Sequence, residues 1–270
     1  MTVSQFSITL EGRRAKYWLG GTGKTLVLLH GNLGDARQHW QPTFNALTNQ
    51  FQILAPDLPG FGVSDPLPMP SYQAYLSWLT GLFEVLNIGG PVLLMGHAFG
   101  GTLSRLYTAE NTSLVSRLVL VAGGHVIDVG GCSRSLYRLP VLSSLAFTTL
   151  KQATYSDTGL RRAFQTEQYL TDDFIQSARA AANGSIDTLR QIGLISAPAL
   201  RTPTCPTLVV WGEFDRVSSP NAGRRIAAQL PTAKFVLIEQ AAHLPQIEQA
   251  AAFHAAILPF LNGGESRMVQ

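Results

Sequence analysis

The fold of this chain is decided by the stretch PVLLMGHAFGG, residues 91–101. Residues 91–95 are apolar without alternation, which is typical of a strand buried on both faces in a parallel sheet. The segment from residue 102 onward has a helical pattern, and Gly96 and Gly100 in between allow the backbone to turn sharply. The stretch therefore predicts a strand, a tight turn and a helix, with the side chain of Ala98 held at the end of the strand.

The predicted turn has the features of the nucleophile elbow motif G-x-S-x-G, which exposes its central side chain for attack on a substrate. Gly96, His97, Phe99 and Gly100 surround the centre of the motif, and Ala98 occupies the central position. Alanine has no oxygen with which to attack. The site as written therefore lacks its nucleophile.

Two further residues follow in the order that this motif uses, an acid and then a histidine. Asp215 comes shortly after the apolar run TLVVW, and His243 comes shortly after the run KFVLI. Both positions lie just past a predicted strand, where open parallel sheets place their functional sites. We expect His243 to act as the general base and Asp215 to hold its tautomer and stabilise the imidazolium.

Similar apolar runs recur along the chain and predict the remaining strands. Between several of them lie helical patterns, such as residues 72–86, in which apolar residues repeat at helical spacing. Alternating strands and helices predict an α/β fold with a doubly wound, mostly parallel eight-stranded sheet, and the two opening segments predict an antiparallel hairpin at its edge. The predicted strands are residues 5–10, 14–19, 26–29, 51–55, 91–95, 118–121, 207–211 and 234–238.

The alternation of strands and helices stops once, between residues 125 and 197. This stretch contains helical patterns but no convincing strand, so it has to lie outside the sheet. We interpret the chain as a single domain, with a core of residues 1–124 and 198–265 and a helical cap inserted at about residues 125–197. A cap over the strand ends is expected to enclose a largely apolar pocket for a small molecule.

The composition excludes several classes of function. With 14% charged residues and a formal net charge of +3, the chain has no basic stripe of the kind that binds nucleic acid. The N-terminal residues lack a signal-peptide pattern and no apolar run is long enough to span a bilayer, so we expect a soluble, cytoplasmic protein with no membrane partner. Cys132 and Cys205 lack metal-ligand spacing. We expect no metal or organic cofactor, a small-molecule substrate, and a monomer or homodimer.

Five segments together resemble the α/β-hydrolase superfamily, in the order that the family uses and over nearly the whole chain. The resemblance implies that the backbone N–H groups of Asn32 and Phe99 form an oxyanion hole, which stabilises negative charge on a carbonyl oxygen. It also implies that His30, Asp57 and His97 make scaffold hydrogen bonds in the loops around the site. The segments are LVLLHGN (26–32), DLPGFGVSD (57–65), GHAFGG (96–101), WGEFD (211–215) and AAHLP (241–245).

Branches of the superfamily differ at the centre of the elbow, which is serine in esterases, lactonases and carbon–carbon hydrolases and aspartate in haloalkane dehalogenases and epoxide hydrolases. The Gly-His-x-Phe-Gly-Gly pattern resembles the serine branch, whereas His-Gly-Asn at residues 30–32 resembles the dehalogenases. We give the elbow more weight, because its residues flank the nucleophile. The expected substrate is a small, largely apolar ester, lactone or ring-fission diketone.

Residues of the loops and the cap are expected to line the substrate pocket. His125 follows the strand at residues 118–121 and stands at the entrance of the cap, so it is the polar candidate of most interest. Tyr155, Phe164 and Phe174 are further candidates, although aromatic residues in a helical insertion more often pack the cap onto the core. The predicted pocket residues are His125, Leu33, Tyr137, Phe147 and Leu244.

Two interpretations of Ala98 stay open. In the first, an original serine was replaced by design, and the loss of a catalytic serine lowers turnover roughly 10⁶-fold in a serine protease. In the second, alanine is native and the chain is a non-catalytic relative that binds a small ligand or a partner, as hydrolase-fold receptors do. We favour the first, because the matching Asp215 and His243 are retained. In either case the chain as written is expected to bind its substrate without turning it over.

Overall fold

The structure, a computed structural model, describes residues 2–126, 135, 138–194, 198 and 201–264. Within these ranges eight strands form one sheet in the order β1-β2-β4-β3-β5-β6-β7-β8. The pairs β1–β2 and β2–β4 are antiparallel and all other neighbours are parallel, which confirms the predicted fold class and the opening hairpin. The strands are β1 Val3–Leu10, β2 Arg13–Gly21, β3 Lys24–Leu29, β4 Phe51–Pro56, β5 Val92–His97, β6 Val115–Val121, β7 Thr207–Gly212 and β8 Ala233–Ile238.

The central strands are covered by helices on both faces, and this is why their sequences are apolar without alternation. Every residue of β5 and of β7 is buried. β5 runs two residues further than the apolar pattern predicts, because Gly96 and His97 pair with Leu120 and Val121 of β6. This extension carries the chain to the edge of the sheet where Ala98 stands.

Five main helices flank the sheet. α1 and the C-terminal helix α9 pack on one face, in a core that contains Trp40 and Phe253. α2, α3 and α7 pack on the other face, in a core that contains Tyr75 and Leu103. Asp35 caps α1 by accepting a hydrogen bond from the Gln38 N–H at 3.0 Å. The helices of the two faces are α1 Ala36–Leu47, α2 Tyr72–Val85, α3 Phe99–Glu110, α7 Pro220–Gln229 and α9 Ala250–Leu261, and the short α8 Pro245–Glu248 precedes α9.

The described residues 138–194, between β6 and β7, are helical and contain no strand. We call them the helical insertion. They comprise α4 Pro140–Tyr155, α5 Asp157–Arg161, a 3₁₀ turn Glu167–Tyr169 and α6 Asp172–Leu194. The exact boundaries of a cap, at about residues 125–197, stay a prediction, since the junctions lie partly outside the described residues.

The insertion has an apolar core of its own, distinct from the two cores of the sheet. Phe164 and Phe174 meet edge to face at its centre, with ring centroids 5.0 Å apart. Two residues of the sheet loops, Leu33 and Leu244, also belong to this core. The insertion therefore packs directly on the loops that follow β3 and β8.

None of the helices in the described ranges is both long and apolar enough to cross a lipid bilayer.

Candidate active site

Ala98 occupies a strained turn between β5 and α3. Its backbone angles are φ 48° and ψ −113°, in a region that residues other than glycine rarely adopt. The conformation is held by hydrogen bonds on both sides, because the Ala98 N–H donates to the Val121 carbonyl at 2.9 Å and the Ala98 carbonyl accepts from the Thr102 N–H at 3.1 Å. The side chain at position 98 is therefore presented at the strand end by a backbone that has little freedom to move.

The glycines of the elbow are required for close packing rather than for unusual backbone angles. Gly96 and Gly100 are not among the glycines with positive φ, and it is Ala98 itself that has a positive φ. A Cβ atom at Gly100 would lie 2.3 Å from the Leu29 carbonyl oxygen, and a Cβ atom at Gly123 would lie 2.2 Å from the Ala98 carbonyl oxygen. The elbow is thus packed directly against main-chain atoms of its neighbours.

Asp215 and His243 meet at the carboxyl end of the sheet. The Nδ1 atom of His243 lies 2.9 Å from Oδ2 of Asp215, and the carboxylate is fully buried. The other oxygen, Oδ1, accepts backbone N–H groups from Val217 and Ser218, each at 2.8 Å. These two donors stabilise a charged carboxylate. That carboxylate fixes the proton of His243 on Nδ1 and leaves Nε2 free to act as a base.

A cavity of about 260 Å³ lies over the elbow and brings most of the predicted site residues together. Ala98 and His243 line it, and so do both predicted oxyanion-hole residues, Asn32 and Phe99. Sequence reasoning missed several lining residues. Of these, Val217 and Ser218 follow Asp215 directly, but others come from distant elements and have no local signal. The lining residues that were not predicted are Tyr72, Thr102, Ala122, Thr154, Gly159, Leu189, Val217 and Ser218, together with His97, which the motif analysis had placed only in the scaffold.

Two of the predicted pocket residues line this cavity and two do not. His125 and Leu33 line it. Leu244 does not, because it is completely buried in the core of the insertion, and Phe147 does not, because it packs against the same core. Tyr137 lies outside the described residues.

His125 is an exposed residue at the rim of the cavity. Its backbone carbonyl accepts a hydrogen bond from the Thr102 hydroxyl at 2.7 Å. Partial burial lowers its pKa, and the neighbouring His243 and Arg105 lower it further. The ring of His125 is therefore neutral at pH 7 and can offer a hydrogen bond without a charge.

Three buried histidines continue inward from His243 as a row of neighbouring rings. The ring centroids are 4.8 Å apart for His243 and His97, 5.0 Å for His97 and His39, and 5.5 Å for His39 and His30. Burial lowers the pKa of each of the three inner rings, to about 4 for His30. They are neutral at pH 7. In the described part of the chain, His243 is the one histidine that pairs with a carboxylate.

The inner residues of this row hold loop backbones, as the motifs predict. His30 Nδ1 donates to the Gly31 carbonyl at 2.7 Å, and its Nε2 accepts the Leu58 N–H at 2.9 Å. His97 Nε2 donates to the carbonyl of His243 at 2.8 Å. Asp57 accepts the N–H of Ala36 at 3.1 Å and pairs with Lys16 at 3.4 Å.

A buried carboxylate that sequence reasoning missed, that of Glu248, links the loop that carries His243 to the insertion. Glu248 accepts the N–H of Ala242 at 3.0 Å and the N–H of Gln165 at 2.7 Å. The His243 N–H in turn donates to the Ala163 carbonyl at 3.0 Å. Burial raises the pKa of Glu248, and the two backbone donors act in the opposite direction. The loop that carries His243 is therefore attached to the insertion at two points.

Another cavity, of about 500 Å³, lies between β8 and α9. Its lining is mostly aliphatic and alanine-rich, with Glu239 as the one ionisable side chain. It is larger than the cavity over the elbow, but serine, cysteine and histidine are absent from the described residues that line it. His243 and Ala98 line the cavity over the elbow instead.

Comparison with known proteins identifies the family of this chain. The model of a family described as the alpha/beta hydrolase family matches residues 26–256. An uncharacterized protein of Mycobacterium tuberculosis is 26% identical, over 95% of this chain and 81% of its own length. A 2-hydroxy-6-oxononadienedioate/2-hydroxy-6-oxononatrienedioate hydrolase of Cupriavidus pinatubonensis is 28% identical, over 90% of this chain and 88% of its own length.

Among solved structures, the enol-lactonase of Burkholderia xenovorans LB400 superposes with a TM-score of 0.78 and 21% identity, over 95% of this chain and 100% of that one. At this identity the likeness shows the fold alone. The family match extends from β3 into α9 and includes the elbow and the segments of Asp215 and His243. The chain therefore belongs to the alpha/beta hydrolase family.

Proposed function

We propose that this alpha/beta hydrolase has the site of a serine-type hydrolase of small carbonyl compounds, in which Ala98 occupies the position of the nucleophile. The observation that carries the proposal is the strained backbone at Ala98, with φ 48°, at the floor of a cavity that His243 also lines. Strain of this kind is retained where it positions a side chain for chemistry. An alanine has no need of such a position, whereas a serine nucleophile does.

With serine at position 98, the reaction follows from the geometry. The hydroxyl oxygen attacks the substrate carbonyl carbon while Nε2 of His243 takes the hydroxyl proton, and the Asp215 carboxylate stabilises the resulting imidazolium. The tetrahedral adduct collapses, the leaving group departs with the proton from His243, and an acyl-serine remains. Water activated by His243 then attacks the acyl-serine, which releases the acid and restores the hydroxyl.

The carbonyl oxygen becomes negatively charged in the tetrahedral adduct. The backbone N–H groups of Asn32 and Phe99, residues that line the same cavity as Ala98, are proposed to stabilise this charge. Phe99 also lies in the first turn of α3, where the positive end of the helix dipole favours an anion. The negative charge therefore develops beside backbone N–H donors and the positive end of a helix dipole, both of which stabilise it.

With alanine at position 98, the cavity, the base and the proposed oxyanion hole remain, but the attacking oxygen does not. We therefore propose that the chain as given binds substrate and leaves it intact, and that Ala98 replaces an original serine. The intact pair of Asp215 and His243 supports this choice, since a buried carboxylate with three stabilising contacts has no evident use without a base to orient.

The size and lining of the cavity limit the substrate to a small molecule. About 260 Å³ accommodates a compact, mostly apolar ligand, with a few polar groups to orient it. Among the described lining residues there is no lysine or arginine. An ester, a lactone and a ring-fission diketone suit this cavity, and the similar proteins include an enol-lactonase and a 2-hydroxy-6-oxononadienedioate/2-hydroxy-6-oxononatrienedioate hydrolase. No step of this reaction requires a cofactor.

The test is to restore the serine. We expect Ala98→Ser to hydrolyse at least one member of a panel of p-nitrophenyl esters, lactones and vinylogous diketones, with kcat roughly 10⁴- to 10⁶-fold above the chain as given. Ala98→Gly, which also lacks the hydroxyl, is the matched control and is expected to be inert. His243→Ala and Asp215→Asn in the Ala98→Ser background are expected to remove most of the gain.

A second function, binding without catalysis, is favoured by the presence of Ala98 itself. A folded Ala98→Ser variant that is inert across the panel, together with tight ligand binding by the chain as given, would support this alternative. Calorimetry of the same panel on both variants separates the two cases. Binding by both with turnover by Ala98→Ser alone supports the hydrolase.

A further inference from the structure

We propose that the hydroxyl of Tyr155, a residue of the helical insertion, is a positioning group for the oxyanion hole and acts through the carbonyl of Asn32. The inference rests on the proposed function and extends it. In this arrangement the insertion also fixes the orientation of the backbone at Asn32, which is proposed to supply one donor of the oxyanion hole.

The contact that carries the inference is a partly buried hydrogen bond between distant parts of the chain. Tyr155 ends α4, is 6% exposed, and its hydroxyl donates to the carbonyl oxygen of Asn32 at 3.0 Å. Burial raises the pKa of Tyr155 to about 12 against an opposing contribution from Ser185, so the hydroxyl keeps its proton at neutral pH and remains a donor. Tyr155 is not among the residues that line the cavity, so it reaches the reaction only through Asn32.

The peptide groups around Asn32 are held from two sides. The peptide bond that supplies the Asn32 N–H also contains the Gly31 carbonyl, and this carbonyl accepts a hydrogen bond from His30 at 2.7 Å. In a trans peptide the N–H points opposite to the carbonyl, so His30 sets the direction of the Asn32 N–H. The next peptide bond contains the Asn32 carbonyl, which Tyr155 holds. The sheet therefore fixes one side of Asn32 and the insertion fixes the other.

The position of Tyr155 is itself set by apolar packing. Tyr155 and Leu33, the residue that follows Asn32, belong to the same apolar core as Phe174 and Leu160. The residue that follows His243, Leu244, is completely buried in that core. The loops that carry Asn32 and His243 therefore share one apolar core with the insertion, and the packing of the insertion helps to position both loops.

Tyr155→Phe removes only the hydroxyl and keeps the packing of the ring. In the Ala98→Ser background we expect kcat to fall about tenfold with KM within about twofold, because the proposed oxyanion hole acts on the transition state and less on the bound substrate. Complete loss of one oxyanion donor lowers kcat roughly 10²- to 10³-fold, and a displaced donor loses part of this.

Tyr75→Phe is the matched control. The hydroxyl of Tyr75 is also buried and also bridges a core loop to the insertion, since it donates to the Pro59 carbonyl at 2.8 Å and lies 3.0 Å from the Thr188 hydroxyl. Neither of these two hydrogen bonds involves Asn32. The ring of Tyr75 packs edge to face on Phe99, with centroids 5.3 Å apart, and Tyr75→Phe keeps that ring. We expect its removal to leave kcat within about twofold of the Ala98→Ser value, with a comparable change in melting temperature.

A second measurement separates positioning from general loosening. In the Ala98→Ser background, Ki for a trifluoromethyl ketone that forms a tetrahedral adduct is expected to rise about tenfold with Tyr155→Phe. In the Ala98 background, Kd for the intact ester is expected to stay unchanged. An unchanged kcat in Tyr155→Phe, or an equal loss in Tyr75→Phe, overturns the inference while the proposed function stands. An inert Ala98→Ser chain overturns the proposed function, and the inference with it.

Discussion

The elbow around Ala98 is held by main-chain atoms, whereas the helical insertion is held by side chains. At the elbow, Gly100 and Gly123 leave no space for a Cβ atom between neighbouring backbones. In the insertion, Phe164 and Phe174 fill an apolar core with their rings. At the elbow there is no space for a larger side chain, so the elbow tolerates no change of shape. The insertion is a side-chain core, so we expect it to lose stability more gradually when a side chain is shortened.

The two constructions also contribute differently to the site. The elbow and the ends of β7 and β8 place Ala98, Asp215 and His243, whereas the insertion contacts the loops of Asn32 and His243 through Tyr155 and Ala163. We infer that substitutions in the elbow act on the whole fold. Substitutions in the insertion act first on the geometry of the site.

The largest effect is expected for Gly100→Ala. Its Cβ atom would lie 2.3 Å from the carbonyl oxygen of Leu29 and 2.5 Å from that of His30, and neither can move without disturbing β3. We expect a loss of about 4 kcal/mol or more in the free energy of unfolding, at or above the usual range for overpacking. Gly89→Ala, which meets no atom within 4 Å, is the control and is expected to be neutral in urea denaturation. Equal midpoints for the two variants would contradict this account of the elbow.

Phe174→Ala is expected to cost about 3 kcal/mol, because it opens a cavity in the core of the insertion. The loss should be regional. Hydrogen exchange is expected to speed up in residues 138–194 and around Leu33 and Leu244, while β5 and β7 keep their protection. Uniform loss of protection throughout the sheet would show that the insertion and the sheet are one cooperative unit.

Titration of Asp57 is expected to make the free energy of unfolding of this protein depend on pH. Burial, reinforced by Asp35 and opposed by Lys16, raises the pKa of Asp57 from its ordinary value of 3.8 to about 6. The folded state therefore binds the proton more tightly than the unfolded chain does. The resulting stability is present below pH 3.8 and is lost as the pH rises through about 6.

The measurement for Asp57 compares the chain as given with Asp57→Asn, which has no carboxyl to titrate. Between pH 7 and pH 4, we expect the free energy of unfolding of the chain as given to increase by roughly 2 kcal/mol relative to Asp57→Asn. Parallel curves for the two proteins would mean that burial leaves the pKa of Asp57 at its ordinary value.

Glu248→Gln is expected to have the smallest effect. The substitution keeps the size of the side chain but weakens the acceptor of the Ala242 and Gln165 N–H groups, which join the histidine loop to the insertion. In the Ala98→Ser background we expect kcat to fall roughly tenfold, equivalent to about 1.4 kcal/mol, with a smaller change in KM.

The control for Glu248 is Glu213→Gln, since Glu213 is an exposed carboxylate that accepts the Gln240 N–H at 3.1 Å. We expect that variant to retain the activity of Ala98→Ser. Equal losses in both variants would argue against a specific role for the buried carboxylate.

Much of the fold could be predicted from local patterns. Six apolar runs and the two opening segments predicted all eight strands. The absence of a strand pattern between residues 125 and 197 predicted a helical insertion, and the described residues 138–194 form helices and turns without a strand. Leu244 and Phe147, which were predicted to line the pocket, do not line the cavity over the elbow, because both residues pack in or against the core of the insertion. A sequence pattern states that such residues are apolar, but not which apolar surface they join.

The sequence by itself determined the elbow, the order of Ala98, Asp215 and His243, and the alternation of strands and helices. Each of these depends on short-range features: glycine spacing, apolar runs and motif order. Only the tertiary structure decided that Tyr155 holds the carbonyl of Asn32 and that Glu248 joins residues 242 and 165. These contacts connect segments that lie far apart in the chain. A hydrogen bond between such segments depends on how helices and loops pack in three dimensions, and that packing leaves no periodic signal in the sequence.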